Sequence, residues 1–72
     1  MVTEADIKLL AIQHCQDKYT LNAEDILLIN VMRSVDPNTW HVDVYTKWCP
    51  LRIRITLRCG DKIDIDSRVE VL

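Results

Sequence analysis

Three successive segments of this chain alternate apolar and polar residues with a period of two, and that pattern leaves few folds open. Trp40, Val42, Val44, Thr46 and Trp48 alternate with His41, Asp43, Tyr45 and Lys47. Leu51, Ile53, Ile55, Leu57 and Cys59 alternate with Arg52, Arg54, Thr56 and Arg58, and Ile63, Ile65, Ser67, Val69 and Val71 with Asp64, Asp66, Arg68 and Glu70. Each reads as a strand with one face in a core and the other in water. The connections Trp48-Cys49-Pro50 and Gly60-Asp61-Lys62 are too short for a crossover, so neighbouring strands run antiparallel as a meander.

The faces also set a register. Keeping every apolar residue of the last hairpin on one side demands Cys59 opposite Ile63 and Leu57 opposite Ile65, which places Arg58 against Asp64 and Arg52 against Glu70. A two-residue Gly60-Asp61 turn of type II′ would slip this by one and set Arg58 beside Ile63. The face pattern outweighs the turn, and a bulge near Lys62 would reconcile the two.

Ahead of the strands, the spacing predicts a helix over residues 4–18. Thr3 is placed as N-cap with Asp6 three residues on, and Val2 and Ile7 occupy the positions of a hydrophobic staple. At about 100° per residue, Ile7, Leu10, Ala11, Ile12, Cys15 and Tyr19 share a stripe. Its small centre, Ala11 and Cys15, would let the helix approach a sheet closely. Leu9 falls on the polar side.

Residues 25–35 form an apolar run that reads as strand or helix. Asn22-Ala23-Glu24-Asp25 would serve as a helix start, but Ile26, Ile29, Val31 and Val35 are β-branched and the turn signal Asp36-Pro37-Asn38 leads straight into an alternating strand. A strand is favoured. The expected architecture is α+β: an N-terminal amphipathic helix packed on a three- to four-stranded antiparallel meander. In order and pattern this is similar in outline to the cystatin-like or nuclear-transport-factor-like half rolls, a likeness that carries no function with it.

Size and charge narrow the function classes. With 72 residues the chain is long enough for one domain, 1–72, and too short for two. Cores of this size sit near the limit of independent stability, which favours association with a partner. A single glycine rules out a glycine-rich phosphate loop, and a net charge of −2 argues against nucleic acid as a partner. No apolar run reaches the roughly 18 residues of a membrane span, and the start of the chain is acidic where a signal peptide is basic. Cytoplasmic location and reduced thiols are the expectation.

The residues able to do metal or covalent chemistry are few. His14, Cys15, His41, Cys49 and Cys59 lack the local spacings of zinc sites. Cys15 sits mid-stripe as a small buried hydrophobe, whereas Cys49 beside Pro50 is the exposed thiol, with His41 on a neighbouring strand. Asp61, Asp64 and Asp66 lack the glycine and closing glutamate of a calcium loop. No catalytic residue, metal or cofactor is expected.

What remains is surface. Arg52, Arg54 and Arg58 point one way from the sheet, with Tyr45, His41 and Lys47 beside them, and form the candidate partner-binding face. Pairing with carboxylates on adjacent strands is the plain explanation of that strip. The last strand ends in Val69-Glu70-Val71-Leu72 with few charges guarding its edge, and one helix cannot cover a four-stranded sheet. The reading is a non-enzymatic protein-interaction or regulatory module that self-associates. Its rivals are a small-molecule half roll with a pocket near Tyr19, Trp40 and Trp48, and weak nucleic-acid binding through the arginines.

Overall fold

The computed structural model describes residues 2–48 and 50–72. One helix, α1 (Glu4–Tyr19), precedes a 3-10 turn (Ala23–Asp25) and four strands, β1 (Ile26–Arg33), β2 (Thr39–Thr46), β3 (Leu51–Cys59) and β4 (Ile63–Val71). The strands form one antiparallel sheet in the order β1-β2-β3-β4, with α1 across one face. This is the α+β architecture that alternation and capping predict.

Helix α1 begins as its first residues dictate. The Asp6 amide donates to Thr3 Oγ1 at 3.2 Å and the Thr3 amide donates to Asp6 Oδ2 at 2.9 Å, a reciprocal capping box. Those bonds, the one from the Thr3 backbone foremost, hold the Asp6 carboxyl below its ordinary value. The helix ends where Thr20 turns left-handed, at φ 58° and ψ 33°, and the Leu21 amide donates back to the Cys15 carbonyl at 3.3 Å. A β-branched residue is strained in that conformation, where glycine or asparagine is usual.

Ile7, Ala11 and Cys15 are fully buried against Trp40, Val42, Val44, Ile53, Ile55 and Leu57, while Leu9 is 67% exposed as its place on the helix requires. Trp40 belongs to this core, and the Arg33 guanidinium lies 4.7 Å from its ring centroid. Trp48 does not. β2 stops at Thr46, so Trp48 falls outside the alternating strand and is 48% exposed.

Segment 25–35 is a strand, yet its helix-start signal is used. Asn22 and Asp25 cap a single 3-10 turn before β1 begins. Register then slips between Ile26 and Leu28, leaving Leu27 bulged and both leucines exposed. The last hairpin pairs Cys59 with Ile63, Leu57 with Ile65, Arg58 with Asp64 and Arg52 with Glu70. Its connection is the three residues Gly60 to Lys62, and Gly60 has no positive φ, so a type II′ turn is excluded.

No helix among the described residues is long and apolar enough to cross a membrane.

Candidate functional site

The sheet face away from α1 brings the predicted arginines together and supplies each with its own counter-ion. Arg52 donates to Glu70 Oε1 at 3.2 Å and lies 3.9 Å from Asp43. Arg54 Nε is 3.3 Å from Asp43 Oδ1 and 3.7 Å from Glu70. Arg58 reaches Asp64 at 3.4 Å and Asp66 at 2.9 Å. Tyr45 sits opposite Arg52 in the register, and His41 Nδ1 is 3.4 Å from the Thr56 hydroxyl. With Arg68, four arginines of this face meet four carboxylates, so an incoming phosphate would find an anion beside every guanidinium. Exposed pairs of this type contribute about 0–1 kcal/mol each.

Lys47 is placed elsewhere. Its Nζ lies 2.9 Å from Asp25 Oδ1 at the foot of β1 and 5.2 Å from the Trp48 ring centroid. The hydrogen bond from Lys47, then the one from the Asn22 amide, holds the buried Asp25 carboxyl below its ordinary value. Lys47 thus fastens β1 to the end of β2 and is separate from the arginine row.

One carboxylate of the outer face is buried. Asp43 is 5% exposed, roofed by Arg52 and Arg54, and its Oδ1 and the Arg52 Nε are buried without a hydrogen bond among the described residues. Charge alone compensates them.

The opposite face holds a polar cluster that sequence spacing could not reveal. Ser67 Oγ in β4 lies 2.7 Å from His14 Nε2, 2.8 Å from the Tyr19 hydroxyl and 3.3 Å from Lys18 Nζ. A hydroxyl has one proton and two lone pairs. If Lys18 and Tyr19 both donate, Ser67 donates to a neutral His14, and the arrangement is a saturated tie between the helix end and β4.

Burial, then the Lys18 charge, pull the His14 value below the ordinary 6.5, partly opposed by Asp17. The unfolded chain therefore binds the extra proton first, and stability falls as pH drops through and below about 6.5. Urea midpoints measured from about pH 7.5 down to about pH 5 should show this slope reduced in His14→Gln. An unchanged slope would remove His14 as its source.

Chemistry elsewhere is sparse. Burial pushes the Cys15 thiol up to about 11, which leaves it protonated and inert, and Cys59 is half-buried. The sequence-predicted exposed thiol, Cys49, lies outside the described residues. Among the described residues no three His, Cys, Asp or Glu side chains are grouped to hold a metal. A cavity of about 140 Å3 does lie between Tyr19, Leu21, Trp48 and Val69, but Trp40 is not in its wall. It is smaller than the roughly 300–1,000 Å3 of metabolite pockets.

Uncovered apolar surface is the remaining feature. α1 makes its closest backbone approaches to β1 and β2, so the inner side of β4 is left half in water: Ile63 is 53% and Val71 75% exposed, with Val69 between. Val2, Leu9 and Leu10 adjoin Ile63 at one end, and Trp48 and Leu51 adjoin Val69 at the other. Compared with known proteins, the chain matches no family model, no curated protein and no solved structure.

Proposed function

We propose that this chain is a non-enzymatic protein-interaction module that associates with itself. The uncovered inner side of β4 carries the reading: a nine-residue strand with Ile63, Val69 and Val71 open to water is an unfinished core. Nucleic acid is the weaker reading, since the arginines are neutralised within the sheet. The cavity beside Tyr19 and Trp48 is itself too small for a metabolite.

Sedimentation equilibrium from about 10 μM to about 1 mM tests this directly, because an association in that range corresponds to only about 4–7 kcal/mol. Mass should rise to that of a defined oligomer. A monomer throughout would refute self-association.

A further inference from the structure

We infer that two copies join by antiparallel pairing of β4 with β4 of a second copy, about a two-fold axis at Ser67, making an eight-stranded sheet. The inference rests on the self-association reading and adds a seam and a register to it.

Of the two outer strands, β4 is the one built to extend the sheet. β1 is bulged at Leu27, whereas β4 pairs with β3 over nine residues without a slip. The Leu72 amide donates to the Pro50 carbonyl at 2.8 Å, which continues the same register. Even-numbered residues of β4 therefore turn their backbone groups to β3. Ile63, Ile65, Ser67, Val69 and Val71 turn theirs outward, where the described residues supply no strand. Proline, a bulge or an inward-pointing charge would protect such an edge, and β4 has none of them.

Overlap and charge together select the register, since only an axis at Ser67 pairs all nine strand residues. An axis at Asp66 sets that residue against its own copy and, although it matches Asp64 with Arg68, pairs only seven strand residues. An axis at Arg68 sets it against its own copy and Asp66 against Glu70, and an axis at Ile65 sets Asp64 against Asp66. An axis at Ser67 sets Asp66 against Arg68 twice, with Ile65 facing Val69 and Ile63 facing Val71. An axis at Val69 matches Arg68 with Glu70 but pairs only five strand residues. The cost at Ser67 is Asp64 facing Glu70; Asp64, like Asp66, is already held by Arg58, and Glu70 by Arg52 and Arg54.

Arg68 has the most to gain. Within its own sheet it faces Arg54, and its nearest carboxylate oxygen, on Glu70, is 3.6 Å away on an acid shared with two other arginines. The two-fold also brings the Leu9 and Ile63 end of one copy towards the Trp48 and Val71 end of the other. Each apolar end then lies beside the other across the seam.

The test uses charge reversal measured by sedimentation. Arg68→Asp relieves the Arg54 contact, so its circular dichroism should match wild type, while its dimer should weaken about tenfold or more through two carboxylate pairs. Asp66→Arg should weaken it likewise, leaving Arg58 paired with Asp64. Mixed one to one, the two variants should form a heterodimer near wild-type strength, each Asp meeting an Arg. A wild-type dimer unaffected by Arg68→Asp would overturn the β4 seam and leave self-association standing. Weakened variants that fail to restore each other would overturn the Ser67 register, and a monomeric wild type would overturn both readings.

Discussion

Replacing Ala11 with leucine is expected to lower stability by about 3 kcal/mol, the upper end for overpacking a core. A domain of 72 residues has only about 4–11 kcal/mol in hand. Ala11 is fully buried at the middle of the helix face, with Ile7 one turn before it and Cys15 one turn after, and the sheet residues Val42, Val44 and Ile55 are sealed in the same cluster. Three added carbon atoms have no space to enter, so α1 must lift and expose the cluster it covers. Leucine forms helices nearly as well as alanine, so the loss could not be assigned to helix propensity. The midpoint of thermal unfolding should fall by more than about 10 °C. Leu9→Ala, at an exposed position of the same helix, should be near neutral, and an Ala11→Leu protein as stable as wild type would contradict the close approach of helix and sheet.

That close approach was legible in the sequence because helix and strand periods are local. So was the β3 to β4 register: requiring Leu57, Ile55 and Ile53 to share a face with Ile65, Ser67 and Val69 fixes its parity, and the short Gly60 to Lys62 connection then selects the register observed. β1 was harder to read. Leu27, Leu28 and Ile29 are consecutive and apolar, so period two cannot place a bulge among them, and the Asn22 to Asp25 cap is equally good for a short turn or a long helix.

The candidate site was legible only in part. Alternation put Arg52, Arg54, Arg58, Tyr45 and His41 on one face, which they share. It carried Lys47 and Trp48, one and two residues beyond the end of β2, past the point where the pattern governs, and Lys47 turns to Asp25. His14, Lys18 and Tyr19 meet Ser67 across about 50 positions of chain, so no spacing rule reaches them. The open inner side of β4 follows from geometry rather than pattern, since a single helix is too narrow for four strands.

Asp43→Ala is expected to cost about 2 kcal/mol, although a strand residue opposite the core ordinarily tolerates substitution. Removing one member of a buried ion pair costs about 3–5 kcal/mol. The figure is discounted here because Arg52 and Arg54 keep part of their side chains in water and retain Glu70. Asp43→Asn keeps the shape and removes the charge, so it should lose nearly as much if Coulomb attraction is the cause. Arg54→Ala should cost less in the Asp43→Ala background than in wild type, the non-additivity that marks a shared interaction. Arg58→Ala is the contrast, since its carboxylates are mostly exposed and the pairing should shift the urea midpoint little. Raising salt should weaken the Arg58 pairs more than the sheltered Asp43 pairs. An Asp43→Asn protein with a wild-type urea midpoint would reduce Asp43 to packing. With the expected loss, the fold leans on the one outer-face carboxylate that three arginine positions in the sequence had drawn attention away from.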